Sequence, residues 1–189
     1  MKTYKVSELM VPLSEYATVD ESATLCEAVM SLEKAQEEFD HTRYRHRAIL
    51  VLDKKKKVIG KISQLDVLRA LEPKYEEILE GRGLHGLGFS KKFLKTMLKD
   101  YVLFDSPLKD ICARIIDLPV SKVMYAPTEG EYVEEHATLD QAIHQLVIGH
   151  HQSLLVTRGE SIVGILRLTD VFAALFHAMK ECKECLQKP

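Results

Sequence analysis

Hydrophobic and polar positions follow two patterns along this chain, and these patterns predict helices and strands. In ATLCEAVMSL and ATLDQAIHQL, the apolar residues recur at the spacing that places them on one face of a helix. In AILVL and SLLVT, apolar residues follow one another directly, as in short buried strands. Each of these runs is followed by a polar turn, DKKKK or RGES, and by a second apolar run, VIGKIS or IVGILR. The pattern therefore predicts two hairpins, each with a helix before it and a helix after it.

An internal repeat accounts for this pairing of elements. VSELM at residues 6–10 returns as VSKVM at residues 120–124, and TVDESATLCEAV returns as YVEEHATLDQAI in the same register. VIGKISQLDVLRAL then matches IVGILRLTDVFAAL after a shift in register, because the first repeat carries extra residues around EKAQEEFDHTRYRH. The sequence thus predicts a mixed α/β (α+β) fold in which a β-α-β-β-α unit occurs twice.

The segment between the two repeats has helical patterns of its own. In SKKFLKTMLKDYVLF the apolar residues lie on one helical face. SPLKDICARIIDLP predicts a second helix with Ser106 at the N-cap and Pro107 at the first helical position. We therefore divide the chain into a first repeat (1–72), a helical insertion (73–119) and a second repeat with a short tail (120–189). The insertion helices are expected to form a hairpin that packs on the repeats or on a partner chain.

Composition and charge exclude several classes of protein. With 46% hydrophobic residues in 189, the chain can bury one ordinary core or two small ones, which argues against disorder. A net charge of −2 provides no overall attraction to nucleic acid or to an anionic membrane. The longest apolar run, VFAALF, is far shorter than the ~20 residues of a membrane-spanning helix, and the N-terminus lacks the apolar core of a signal peptide. We expect a soluble, cytoplasmic protein whose scattered cysteines are reduced thiols.

The first candidate chemistry lies at the corner where VIGKIS runs into the next helix. Ser63 and Asp66 have the spacing of a capping box, in which each side chain satisfies a backbone N–H of the first helical turn. Alternatively, Asp66 can accept two hydrogen bonds from a vicinal diol such as that of a ribose, because its two oxygens match two adjacent donors. Asp170 has the same place in the second repeat, but Arg167 stands where a capping box needs a serine. Retention of the acid without its capping partner favours the diol hypothesis.

Together these features resemble a tandem pair of CBS domains (cystathionine β-synthase domains), a Bateman module. The resemblance covers about residues 4–72 and 118–178, and it is carried by VSELM and VSKVM, the two ATL helix starts, HRAILVLD and Gly60-x-x-Ser63-x-x-Asp66. The segment HRAILVLDKKKKVIGKISQLDVLRAL is also similar to the last of the adenine-nucleotide-binding repeats of the AMP-activated protein kinase γ subunit. The resemblance implies pseudo-two-fold symmetry, a homodimer, and an adenosine-containing ligand such as AMP, ADP, ATP or S-adenosylmethionine.

The resemblance also implies two ligand clefts, with the aspartate of each repeat facing the leading segment of the other repeat. One cleft would use Asp66, Ser63, His46 and Arg47 with the backbone from Pro127 to Tyr132. The other cleft would use Asp170, Thr169, Arg167 and His151 with the segment from Pro12 to Ala17. Because Arg47 follows the first histidine whereas Gln152 follows the second, the two clefts are expected to be unequal. Without the resemblance, both histidines would be interpreted as surface residues at strand starts.

Three further motifs suggest other functions. GRGLHG at residues 81–86 has the spacing of a dinucleotide-binding loop, but it follows a polar helical segment rather than a strand. Cys182 and Cys185 in CKEC could hold zinc only if a dimer brought two such pairs together. Lysines on one face of the first insertion helix could contact DNA phosphates, although a solvated face is the default interpretation. No nucleophile, base and orienting acid occur as a recognisable set, so we expect neither catalysis nor a metal or other cofactor.

The predicted function is a stand-alone regulatory module that senses an adenosine-containing ligand between its two repeats and acts on a separate target protein. The first alternative is a protein-interaction module with vestigial clefts that works through the insertion helices. The second alternative is an enzyme that uses the glycine loop. Binding of an adenosine compound to the purified protein distinguishes the first hypothesis from the other two.

Overall fold

The computed structural model describes residues 4–38, 45–72, 74, 96 and 106–181. Within these ranges the order of strands and helices repeats as the hydrophobic pattern predicts, and the mixed α+β fold class is confirmed. The GRGLHG and CKEC motifs and the lysines of the first predicted insertion helix lie outside the described residues, so their predictions are not tested by the fold.

The first repeat contains two short leading elements followed by the predicted unit. Its elements are α1 (Val6–Leu9), β1 (Val11–Pro12), β2 (Thr18–Asp20), α2 (Leu25–Glu38), β3 (Ala48–Leu52), β4 (Val58–Ser63) and α3 (Gln64–Ala70). The helix α2 begins at the ATL motif, where Thr24 and Glu27 hydrogen-bond to each other's backbone N–H groups, as in a capping box.

The second repeat is preceded by a helix of the insertion and follows the same order. The elements are α4 (Leu108–Ile115), β5 (Tyr132–Glu134), α5 (Leu139–Ile148), β6 (Ser153–Arg158), β7 (Ser161–Arg167) and α6 (Leu168–Glu181). The predicted N-terminus of α4 was wrong by one position: Pro107 is the N-cap, and the helix begins at Leu108. The reason is that Pro107 has a ψ of 144°, which is an extended rather than a helical value.

Each repeat contributes one three-stranded sheet, and the two sheets exchange their leading segments. We use "leading segment" for residues 4–17, which precede β2, and for residues 119–131, which precede β5. The strand orders are β2-β3-β4 in one sheet and β1-β7-β6-β5 in the other, so β1 of the first repeat pairs with the second repeat. Reciprocally, the backbone of Tyr125 forms two hydrogen bonds with Lys61 of β4, at 3.0 and 2.9 Å. This exchange gives the molecule its pseudo-two-fold symmetry.

Two equivalent glycines allow this close approach of the leading segments. A Cβ atom at Gly164 would lie 2.5 Å from the carbonyl oxygen of Val11, and a Cβ atom at Gly60 would lie 2.7 Å from the sulfur of Met124. Both distances are shorter than non-bonded atoms tolerate, so an added side chain would have to displace the Val11 backbone at Gly164 or the Met124 side chain at Gly60.

Three hydrophobic clusters form the core. Two clusters are each centred on one repeat and pack its hairpin and helices against the leading segment of the other repeat, with Val6 in one cluster and Val120 in the other. The third cluster joins the repeats and consists of Val11, Tyr16, Leu50, Leu155 and Ile165. Leu50 and Leu155 are at most 1% exposed, and full burial of such a side chain contributes about 1.5–3 kcal/mol. The central cluster therefore holds the two repeats at a defined separation, and the polar corners of both repeats lie beside it.

Candidate functional site: a cleft between the repeats

A cleft of about 780 Å³ lies between the two repeats, a size typical of small-molecule sites. Both repeats contribute to its walls. Six residues predicted from the sequence line it: Arg47, Ser63, Asp66, His151, Arg167 and Thr169. These residues come from both predicted sets, so the structure joins parts of the two expected clefts in one continuous space.

The corner of the first repeat has the capping geometry that the Ser-x-x-Asp spacing predicts. The Asp66 N–H donates to Ser63 Oγ at 3.3 Å, while Asp66 Oδ2 accepts from the Ser63 N–H at 2.8 Å and from its hydroxyl at 2.5 Å. Asp66 Oδ1 accepts from the exposed guanidinium of Arg69 at 3.2 Å. The capping prediction is therefore confirmed, and the same carboxylate faces the cleft with 16% of its side chain exposed.

The equivalent corner of the second repeat is built differently. Arg167 donates from Nε to Asp170 Oδ2 at 2.6 Å and from Nη2 to Asp170 Oδ1 at 2.5 Å. The Arg167 backbone N–H also donates to Oδ2 at 3.3 Å, which preserves half of a capping box. The two side chains are only 5% and 10% exposed. Asp170 thus has a structural partner that its position in the sequence alone did not reveal.

His46 and Tyr16 complete this second polar cluster. His46 is fully buried, its Nδ1 lies 3.3 Å from Arg167 Nη1, and its ring packs edge-on against Tyr16 with 4.4 Å between centroids. Burial raises the pKa of the Tyr16 hydroxyl, although the positive charge of Arg167 partly opposes this effect. The sequence assigned His46 to the cleft with Asp66, but the structure places it beside Arg167, and it is not among the residues that line the cleft.

The other predicted site residues have packing roles. Ala17 is buried in the core of the first repeat, where its carbonyl oxygen accepts from the Leu50 N–H at 3.0 Å. Tyr132 packs at the edge of the central cluster, and its carbonyl oxygen accepts from the Gln145 side chain at 3.0 Å. Neither residue lines the cleft, and Asp170 does not line it either. The sequence-based assignment of these side chains to ligand contacts therefore stays a prediction.

The cleft contains an ion pair that the sequence analysis missed. Lys61 on β4 pairs with Glu131 of the opposite leading segment, and their side chains are 15% and 3% exposed. Burial of the Glu131 carboxyl by itself raises its pKa. The net shift is nevertheless downward, because the charge of Lys61 and hydrogen bonds from Lys61, the Thr128 backbone and Tyr125 stabilise the carboxylate and lower its pKa. An alignment of the two repeats could have indicated this pair, because the charged Lys61 stands where the second repeat has the buried, apolar Ile165.

Comparison with known families explains this architecture. The family model of the CBS domain matches residues 6–73 and again residues 115–177. The chain belongs to the CBS-domain family. The cleft therefore lies between two CBS repeats.

Solved structures with this CBS-pair fold cover nearly the whole chain. CBSX2 in complex with AMP is 17% identical, with a TM-score of 0.58 over 92% of this chain and 97% of that chain. CBSX2 from Arabidopsis thaliana is 16% identical, with a TM-score of 0.59 over 95% and 99% of the two chains. A CBS-domain-containing protein from Agrobacterium tumefaciens is 18% identical, with a TM-score of 0.56 over 93% and 95%. No curated protein matches the sequence.

Neither a metal site nor a membrane span is found among the described residues. In these parts of the chain, no three histidine, cysteine, aspartate or glutamate side chains stand close enough together to hold a metal ion. Over the same ranges, no helix combines the length and the apolar character needed to cross a bilayer. Cys26 and Cys112 are exposed free thiols, whereas Cys182 and Cys185 lie outside the described residues.

Proposed function

We propose that this CBS pair is a regulatory module that binds an adenosine-containing ligand in the cleft between its repeats, at the corner of Asp66. The observation that carries the proposal is a cleft-facing carboxylate, Asp66, that shares the cleft with several cationic side chains. Arg45 and Arg47 line the same space as Asp66, and so does Lys61, whose charge is paired with Glu131. A ligand that carries both a diol and negative charge matches this combination of side chains.

Capping does not exhaust the hydrogen-bonding capacity of Asp66. A carboxylate offers about four lone-pair directions, and within the described contacts the cap occupies two of them on Oδ2. On Oδ1 the described hydrogen bond comes from Arg69, whose side chain is 45% exposed, and an exposed ion pair of this kind contributes at most about 1 kcal/mol. A ribose hydroxyl can therefore reach Oδ1, either beside the Arg69 guanidinium or in its place, without loss of the helix cap.

The cationic side of the cleft suits a phosphate group. Arg47 immediately precedes β3 and lines the cleft, and its guanidinium can bind phosphate oxygens in the bidentate manner that arginine favours. His151 lines the same cleft from the second repeat, and its ring packs over Gly149, where a Cβ atom would overlap it. AMP, ADP and ATP fit this chemistry, and S-adenosylmethionine shares the ribose end. The complex of CBSX2 with AMP supports the nucleotide assignment by analogy of fold.

The alternative function is a protein-interaction module, and one observation favours it. In α4 and just beyond it, Leu108 and Ile116 are exposed while Ile111 is buried, so the insertion presents apolar side chains to the exterior. Under this alternative the clefts would be vestigial, and the apolar surface of the insertion would contact a target protein. Under either function we propose regulation rather than catalysis.

A thermal-shift screen of the purified chain tests the proposed function. AMP, ADP, ATP and S-adenosylmethionine are added separately at millimolar concentration, with guanosine and cytidine nucleotides as controls. A ligand at one hundred times its Kd stabilises the folded state by about 2.7 kcal/mol, which gives a visible rise in Tm. If none of the adenosine compounds raises the Tm, the sensor hypothesis is rejected in favour of the interaction module.

A further inference from the structure

We infer that Arg167 occupies the ligand corner of the second CBS repeat, so that the protein binds one ligand per chain, at Asp66, instead of two. This inference rests on the proposed function for its choice of ligand but makes a separate statement about Asp170. The number of sites depends on the residue three positions before each aspartate, which is Ser63 in the first repeat and Arg167 in the second.

The hydrogen bonds of Arg167 reproduce those that a vicinal diol would make. Its Nε and Nη2 atoms are adjacent donors, and they reach the two oxygens of Asp170 at 2.6 and 2.5 Å. A ribose presents two adjacent hydroxyl donors to the same two oxygens, so guanidinium and diol compete for one set of acceptors. The guanidinium also carries a full positive charge, which makes it the stronger partner for a carboxylate.

Burial makes this pair difficult for a ligand to displace. Arg167 and Asp170 are 5% and 10% exposed, and the guanidinium lies between Asp170 on its own repeat and His46 on the other. His46 in turn is held by the ring of Tyr16. A ligand that took Asp170 would have to separate two buried opposite charges and leave Arg167 without its carboxylate, which is strongly unfavourable.

Among the described residues of the first repeat, no buried arginine pairs with Asp66. Ser63 stands where the second repeat has Arg167, and its short side chain caps the helix without covering both oxygens of Asp66. The cation that does contact Asp66 is Arg69, which is nearly half exposed and bonds through a single nitrogen at 3.2 Å. One corner is therefore closed by its own arginine, and the other remains accessible from the cleft.

Titration calorimetry on the full chain tests the inference, with AMP and ATP as the probes. The test variant is Arg167→Ser, which installs in the second repeat the Ser-x-x-Asp spacing of the first. The matched control is Arg158→Ser, because Arg158 makes an equally bidentate pair with Glu135, at 2.5 and 2.8 Å, but does not line the cleft. We expect one site in the parent, one in Arg158→Ser and two in Arg167→Ser, with the added site lost again in Arg167→Ser/Asp170→Asn.

The outcomes separate this inference from the proposed function. Two sites in the parent, or a single site in a folded Arg167→Ser, would overturn the role of Arg167 and leave nucleotide binding intact. No site in the parent with one in Arg167→Ser would uphold that role while rejecting the proposal for Asp66. Absence of binding in both proteins would overturn both statements. If circular dichroism shows that Arg167→Ser does not fold, Arg167→Lys is tested in its place. A second, weaker site in Arg167→Lys would support the inference, whereas the same number of sites as in the parent would refute it.

Discussion

At the residue scale, the two strand-to-helix aspartates show how one motif acquires different roles through its neighbours. Asp66 and Asp170 occupy equivalent positions, and each accepts a hydrogen bond from the backbone N–H three residues earlier. They differ in the side chain at that earlier position, which is Ser63 in one repeat and Arg167 in the other. A serine leaves the carboxylate facing the cleft, whereas an arginine neutralises it inside the fold.

We expect Asp66→Ala to weaken binding of the adenosine ligand by at least tenfold, because a hydrogen bond to a charged group contributes about 1.5–3 kcal/mol. Its effect on folding should be smaller, since loss of a helix cap costs about 1 kcal/mol. Ser63→Ala is the control, because it removes the capping hydroxyl and keeps the carboxylate. If calorimetry gives the same Kd for Asp66→Ala and for the parent, Asp66 is a helix cap and not a ligand-binding residue.

The buried pair of Lys61 and Glu131 should make stability depend on pH in the acid range. Because the pKa of Glu131 is lowered in the folded state from its ordinary 4.5, its stabilising contribution is complete above that value and is lost as the pH falls through the lower folded pKa. At pH 7, Glu131→Gln should lower the free energy of unfolding by about 1–3 kcal/mol, since Lys61 loses its acceptor. Urea denaturation between pH 7 and pH 3 measures both effects.

In Glu131→Gln, the difference in stability from the parent should shrink as the solution becomes more acidic, because the parent then loses the same charge. Glu129→Gln is the matched control, since Glu129 lies in the same leading segment but is exposed. A constant difference across the whole pH range would contradict the assignment of this pair as an acid-sensitive contact.

At the element scale, the exchange of leading segments between the two sheets is the feature that brings the cleft walls together. β1 crosses β7 at Gly164, and Met124 approaches β4 at Gly60. The two crossings differ in what stands opposite the glycine. At Gly164 the nearest atom is a backbone carbonyl oxygen, whereas at Gly60 it is the sulfur of a flexible side chain.

We therefore expect Gly164→Ala to destabilise the protein more than Gly60→Ala. Overpacking of a fixed contact costs about 1–3 kcal/mol, and the Val11 backbone cannot move without breaking its pairing with Ile165. Met124 can instead change its rotamer, so Gly60→Ala should cost less than about 1 kcal/mol. Chemical denaturation of the two variants under the same conditions compares their free energies of unfolding directly. A larger loss of stability in Gly60→Ala than in Gly164→Ala would show that the β1 backbone moves more easily than the Met124 side chain.

At the scale of the whole molecule, α3 and α6 present apolar side chains to the exterior. These are Leu65 and Leu68 on α3, and Leu168, Phe172, Leu175, Phe176 and Met179 on α6. Patches of this kind in otherwise polar surfaces mark interaction sites. The homodimer expected from the CBS resemblance would cover them, with α3 and α6 of one chain against the same helices of a second.

We expect light scattering at micromolar concentration to give twice the 21.5 kDa mass of the chain. Phe172→Glu should shift the population to monomer, because a charge placed in a closed apolar interface lacks a partner. Met30→Glu on α2 is the control, since Met30 is similarly exposed but lies on a different helix of the first repeat. A monomeric parent would reject the dimer, and an equal response of both variants would place the interface elsewhere.

Much of the architecture could be predicted from local patterns. The doubled hairpins, the helices that begin at the two ATL motifs and the cap formed by Ser63 all depend on residues close together in the chain. The predicted start of α4 was wrong by one residue because proline is compatible both with the N-cap and with the first helical turn, so the local sequence does not distinguish the two positions. The division into 1–72, 73–119 and 120–189 stays a prediction.

The sequence by itself determined the internal repeat, the order of its elements and the two acidic corners, because each of these is encoded by spacing within a few residues. Only the tertiary structure decided which corner is open. The pairing of Lys61 with Glu131, the contact between His46 and Arg167, and the burial of Asp170 all depend on how the two repeats pack. Lys61 and Glu131 are 70 residues apart in the chain, and His46 and Arg167 are 121 apart, so both contacts require the packed fold. Arg167 and Asp170 are only three residues apart, but their burial also depends on that packing.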